Sequence, residues 1–286
     1  MIINRTVTLA ATMAGVALLA TSTTLAAQSD AEKRGSDNIE VVAHLPLGPE
    51  VSDIEIEQHM DRPYAYVARQ NRGLDIIDLH DPYNPKVILR WSFDDMDLHV
   101  GSAGKDIKIF EYKGRNYVVH SVQFRQGGPD ADLGAVVFDA TDLPDVSTFR
   151  EVGRIQGPGE IGGFHNIYVY RHTNGRPLLF ATVAGPYANV YDLGYVVDGR
   201  LDEALVAQVP VPESQAVQGS RGYHDFYAGY HADSEQDRFY GGGTGGYYVY
   251  NITDLENPEL LVSLTGISGV RRGHTPGPSS ILLPAP

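Results

Sequence analysis

The chain has 286 residues, no cysteine, and 36 acidic against 22 basic side chains, giving a formal net charge of −14. The lack of cysteine excludes disulfides and thiolate metal sites, and the acidic balance argues against nucleic acid and anionic lipid as partners. The length suits one large β domain.

The N-terminus has the layout of an export signal. Arg5 supplies a small positive charge, Val7 to Ala20 is apolar, and Leu25-Ala26-Ala27 offers small residues for cleavage. Residues 1–27 are therefore expected to be a signal peptide and residues 28–38 a flexible polar leader. The apolar stretch is short and rich in Ala and Thr for an anchor, and nothing later approaches a span, so no stable membrane span is expected after signal cleavage. The expected location is exported: periplasmic, cell-surface or secreted.

From residue 52 onward the chain repeats. Asp53-Ile54-Glu55-Ile56, Asp106-Ile107-Lys108-Ile109, Asn166-Ile167-Tyr168-Val169 and Asp225-Phe226-Tyr227-Ala228 follow one another at steps of 53, 60 and 59 residues. Asp78, Asp139, Asp192 and Asn251 run in phase and each ends an apolar strand. Each repeat resolves into four short runs rich in Val, Ile, Tyr and Leu, separated by Gly, Pro, Asn and Asp. The strands expected in the first repeat are 53–58, 63–69, 74–79 and 86–93. In the second they are 106–112, 116–123, 135–139 and 148–155. The third gives 166–171, 177–183, 188–193 and 205–211, and the fourth 225–230, 238–242, 247–252 and 259–265. No 12-residue amphipathic helix is expected after residue 28. A period of this length, built from short strands, predicts an all-β fold, a β-propeller of four-stranded blades. The blades span about 52–93, 105–155, 165–211 and 224–265 within a repeat region of 39–275.

Glu40–Pro46 matches the fourth strands in pattern and is expected to be an N-terminal closing strand. The partners it needs would lie in a fifth repeat, which starts at Gly273-His274-Thr275 and gives way to a disordered proline-rich tail over 276–286. The pattern predicts about four complete blades and an incomplete ring, as in a shortened or frame-altered version of a longer propeller. Such a ring exposes strand edges and is expected to be marginal as a monomer.

The third strands carry a family resemblance. Leu74-Asp75-Ile76-Ile77-Asp78 followed by Asp81-Pro82 and Pro85 resembles the repeat of the LVIVD-repeat family of exported propeller-like proteins. Ala135-Val136-Val137-Phe138-Asp139 with Thr141-Asp142-Leu143-Pro144, and Tyr247-Tyr248-Val249-Tyr250-Asn251 with Asp254 to Pro258, are further copies. Ala188-Asn189-Val190-Tyr191-Asp192 departs by running into Leu193-Gly194-Tyr195 without the proline turn. The resemblance implies a propeller at the cell surface or in the periplasm and assigns no reaction. The strand-ending Asp78, Asp139, Asp192 and Asn251 are structural turn residues, since a short acceptor there can take the amides of the following turn.

The residue before each repeat's Asp or Asn is Ser52, Lys105, His165, His224 and, in the fifth copy, His274. First strands of blades line the axis, so these positions should converge. His165, His224 and His274 could bind one transition metal (Zn, Cu, Fe or Ni) through neutral imidazoles, or simply hydrogen-bond loop backbone. Asn166 and Asp225 would then orient the rings, and His99 and His120 could add a ligand. His59, His172 and His231 match a hairpin turn and are expected to be solvated. Gly241 to Gly246 satisfies G-x-G-x-x-G but precedes a strand, so it is expected to be a tight hairpin rather than a nucleotide site. Asp130 and Asp132 start like a calcium loop that Gly134 and Thr141 fail to complete. Many of the 17 tyrosines lie on strands, where they either stack on a ligand or fill the core. A propeller separates a rigid ring from variable loops, which favours a non-catalytic extracytoplasmic scaffold with a protein or surface glycan as partner. The alternative is a His-ligated metal-binding protein or metalloenzyme with an axial site.

Overall fold

The computed structural model describes residues 38–99, 101–102, 104–124, 129–157, 162–212, 215 and 221–274. The expected signal peptide, nearly all of the leader and the proline-rich tail lie outside these residues. Two compact units divide the chain, Met1–His44 and Leu45–Pro286. The described part of the first holds no strand, and all that follows concerns the second.

The expected strands form, within a few residues of their predicted bounds. Blade one is β1 (Val51–Ile56), β2 (Tyr64–Arg69), β3 (Gly73–Asp78) and β4 (Lys86–Ser92). A small ladder of β5 (Gly101–Ser102) and β8 (Gln123–Phe124), with no sequence signal, flanks blade two. Blade two itself is β6 (Ile107–Tyr112), β7 (Arg115–Ser121), β9 (Leu133–Asp139) and β10 (Arg150–Gln156). Blade three is β11 (Ile167–Arg171), β12 (Pro177–Thr182), β13 (Tyr187–Asp192) and β14 (Leu205–Pro210). Blade four is β15 (Tyr223–His231), β16 (Gln236–Gly243), β17 (Gly246–Asn251) and β18 (Glu259–Thr265). Every sheet pairs its strands antiparallel in chain order, so each blade is a meander with its first strand innermost.

The middle strands are apolar on both faces because each blade packs against a neighbour on either side. Tyr64, Tyr66 and Leu74 of blade one meet Ile107, Val118 and Phe138 of blade two. Val119 and Val137 of blade two meet Leu179 and Ala181 of blade three. Leu178 and Phe180 on the other face of β12 meet Phe226, Phe239 and Tyr248 of blade four. A period-2 side-chain alternation thus sorts one strand into two separate cores. Among the described residues no such core joins blade four to blade one, and the inner strands pack in the sequence β1, β6, β11, β15. The ring is open at that seam, as the repeat count predicts.

One expectation is corrected. Glu40–Pro46 forms no strand; the partners a closing strand requires do not occur among the described residues. At and just after its end, Leu45 and Leu47 lie with Leu79 and Val87 against Ala65, Val67 and Ile77 of blade one. The single helical turn over Leu193–Val197 does not contradict the expectation that no 12-residue amphipathic helix follows residue 28. It stands where the third repeat lacks its proline turn, and the Asp192 carboxylate caps it by accepting from the amides of Gly194 (2.8 Å) and Tyr195 (3.3 Å).

The strand-ending residues behave as expected. Asp78 accepts from His80 N at 2.9 Å, Asp139 from Thr141 N at 3.2 Å and Asn251 Oδ1 from Thr253 N at 3.1 Å. With Asp192 these make four Asx turns in equivalent places, two residues ahead in each case. The glycine run closes the β16–β17 hairpin, with Gly243 opposite Gly246, and a strand follows it as the hairpin reading requires.

Candidate functional site

The inner strands surround a channel of about 470 Å³ lined by residues from every blade. Because each blade enters it in the same register, its walls are built in rows. Ser52 and Lys105 stand at one end, level in register with His165 and His224. Asp53, Asp106, Asn166 and Asp225 form the next row, and Lys108, Tyr168 and Tyr227 the row below. Register breaks at Ser52 and at His224 take those residues out of the β1–β2 and β15–β16 ladders. Bulges of this kind re-aim a side chain without breaking the sheet. In blades two and three a hydroxyl on the second strand satisfies the freed amides: Ser121 Oγ accepts from Asp106 N at 2.9 Å, and Thr182 Oγ1 from His165 N and Asn166 N at 3.0 and 2.9 Å.

The carboxylate row has a role the sequence did not disclose. Asp53 Oδ2 accepts from Ile107 N of blade two at 3.1 Å, and Asp106 Oδ2 accepts from Ile167 N of blade three at 2.9 Å. Each acid therefore holds the first-strand amide of the next blade. Lys108 ties the first two acids together, donating to Asp53 Oδ2 at 3.0 Å and to Asp106, with Glu55 at 4.0 Å. Burial, and a hydrogen bond shared with Asp53, push the Asp106 carboxyl up to about 7. Asp53 is also raised by burial, but its bonds to Asp106, Lys108 and the Ile107 amide outweigh this and leave it below the usual carboxylate range. Below them, the rings of Tyr168 and Tyr227 meet at 5.1 Å between centroids.

The three axial histidines do come together. The rings of His165 and His224 are 5.0 Å apart and edge-on, while those of His224 and His274 are 4.2 Å apart and tilted by 36°. His274 thus reaches the place its repeat register assigns. His165 Nδ1 meets Gln123 Oε1 at 3.0 Å, and His224 Nδ1 is buried with no hydrogen-bond partner. Among the described residues no three His, Asp or Glu side chains converge to hold a metal. Burial lowers the His224 pKa, and the positive charges of His274, Arg221 and Arg272 lower it further against the pull of Asp225.

The other histidines are placed elsewhere. His120 is wholly buried, and burial pushes it down to about 4 despite a 3.3 Å contact with the Asp106 carbonyl. His99 stacks on Phe124 and pairs with Asp130 at 3.1 Å. Neither adds a ligand to the axial set. Asp130 also pairs with Arg154 at 3.2 Å, so the partial calcium pattern is an ion-pair cluster. His59 is exposed and His231 half-buried. His172, expected to be solvated, is instead buried and lies 3.1 Å from the buried Asp237. That carboxylate also accepts from Tyr170 and from Thr173 Oγ1 at 2.5 Å, sealing the seam between blades three and four. The turn pattern alone gave no sign of this, because the partner lies in another repeat.

No family model matches the chain, and no curated protein matches it. Among solved structures it is similar to an endo-arabinase from Bacteroides thetaiotaomicron at 14% identity and a TM-score of 0.46, covering 76% of this chain and 82% of that one. It is also similar to a candidate exo-β-1,3-galactanase from Bifidobacterium bifidum at 16% identity and a TM-score of 0.41, covering 75% and 71%. Neither likeness bears on chemistry.

Proposed function

We propose that this chain is an exported, non-catalytic binding propeller of the LVIVD-repeat type, whose axial channel takes a surface glycan. The observation that carries the reading is the channel itself, about 470 Å³ and lined by every blade. That volume falls in the range of ordinary ligand sites. Tyr168 and Tyr227 offer ring faces for the C–H surface of a sugar, and the polar row above them offers acceptors for hydroxyls. The channel's acids argue for binding over catalysis, because Asp53 and Asp106 are engaged with the amides of the next blade and with Lys108. The four equivalent Asx turns support the family assignment.

A transition metal at His165, His224 and His274 is the second reading, supported by the gathering of the three rings. Arg221 and Arg272 oppose it, since their charge reaches His224.

The test is calorimetric titration with neutral hexose and pentose oligosaccharides. At least one should bind saturably, and Tyr227→Ala should weaken it about tenfold, the scale of one lost stacking contact. No binding by the unaltered chain, or binding indifferent to Tyr227→Ala, would reject the channel as a glycan site.

A further inference from the structure

Each blade ends in an outer strand with a free edge, and three of the four edges carry a deterrent to pairing. β4 has Lys86 and Arg90, β10 has Arg150 and Arg154, and β14 ends in Pro210. Charged side chains and proline at such edges keep other strands off. A register break against the third strand recurs in all four blades and sets none of them apart. β18 differs: its sequence Glu-Leu-Leu-Val-Ser-Leu-Thr holds one charge, at the first position. Leu260, Val262 and Leu264 are exposed on it. Among the described residues β4 and β10 expose no large apolar side chain, and β14 only Leu205.

The two ends of β18 are oppositely charged. Asp254, Glu256 and Glu259 are exposed just before it and at its start. At its far end Thr265 pairs with Gly246, and the hairpin that Gly246 closes also holds the exposed Arg271 and Arg272. Gly245 N donates to Arg271 O at 3.1 Å, and Thr244 bridges to Arg272. A strand with one acidic and one basic end complements a copy of itself only when the two run antiparallel, and a two-fold axis then repeats the match at both ends. We propose that β18 is the docking edge for a second copy of this chain, pairing antiparallel with β18 of that copy about a two-fold axis at Val262. The pairing continues the ladder that β17 and β18 already form, with main-chain bonds supplying the attachment as in strand addition. Leu260 stands opposite Leu264 of the second copy, and the acidic end of each strand lies beside the arginines of the other. None of the channel-lining residues takes part.

The experiment is sedimentation velocity of the full chain across a wide concentration range. A monomer and a discrete dimer are expected, with no larger species. Val262→Lys sets two like charges at the axis and should weaken the dimer about tenfold with the unfolding temperature unchanged. Arg271→Glu should weaken it as well, and adding Glu256→Lys to that variant should restore most of the loss, because the exchanged charges meet across the axis. The chain has no cysteine, so Val262→Cys reads the register directly. Oxidation should link two copies of that variant, whereas Val146→Cys, at an exposed position of blade two, should stay unlinked. A chain that is monomeric throughout would overturn the proposal. So would a dimer indifferent to both Val262→Lys and Arg271→Glu, or an open-ended series of species that Ile54→Lys disperses, since the contact would then lie at the seam.

Discussion

Asp106 joins two jobs in one carboxyl group. Its Oδ2 holds the Ile167 amide of the next blade, while its proton is shared with Asp53. The folded chain raises this group from 3.8 to about 7, so it keeps a proton that the unfolded chain has released. The resulting stabilisation is complete below about pH 4 and is lost as pH rises through about 7. Asp53 is shifted the other way, and its contribution is lost only on further acidification, outside that window. Asp106→Asn keeps an acceptor for the Ile167 amide and a donor for Asp53 without titrating. Its unfolding temperature should therefore stay level between pH 5 and 8, where that of the unaltered chain declines. Asp106→Ala should cost on the order of 1–3 kcal/mol, because a buried amide loses its acceptor. Thermal unfolding across that pH range distinguishes the three, and parallel profiles for the unaltered chain and Asp106→Asn would refute the shared-proton account. The register of Asp106 was legible in the sequence, since it repeats. Its partner was not, because the bonds from Ile107 to Asp53 and from Ile167 to Asp106 span 54 and 61 residues. His172 and Asp237 escaped notice for the same reason.

Strands were the most legible elements, because alternation and turn residues act within six or seven positions. The strand-ending Asx turns were legible too, each being closed two residues ahead. The bulges at Ser52 and His224 left no local signal, since they are defined by register against a partner strand. Helix Leu193–Val197 shows how one residue can serve two elements. Asp192 ends β13, caps the helix, and pairs with Arg176 at 3.1 Å. Asp192→Ala removes all of this at a buried position and should cost about 1–2 kcal/mol, the upper range for a lost N-cap. Asp192→Asn retains the cap acceptor and should recover most of that loss in chemical denaturation. Equal destabilisation by both changes would assign the effect to the Arg176 pair instead.

The molecule as a whole is shaped by its open seam. The outer edge of blade four exposes Leu260, Val262 and Leu264 on β18 and Ile267 just beyond, with Leu264 54% accessible. On the other side of the gap β1 exposes Ile54 and Ile56. Edge strands with aliphatic faces invite pairing between chains, and lysine is the residue natural sheets use to prevent it. Leu264→Lys should therefore raise the concentration at which the chain self-associates, by severalfold in light scattering, without lowering its unfolding temperature. A monomer that is equally soluble with either residue would show that the edge is already protected. The sequence disclosed this openness through counting alone, since four complete repeats are legible in it.

The inter-blade bonds of the acid row also have a direction. Asp53 waits on an amide of blade two and Asp106 on one of blade three, so both of these acids are completed by chain that leaves the ribosome later. A nascent chain paused after blade one or blade two therefore lacks the inter-blade amide that its last acid accepts from, and that bond forms only with the following fifty-odd residues. Across the first three blades assembly is in this sense a ratchet, blade two locking blade one and blade three locking blade two.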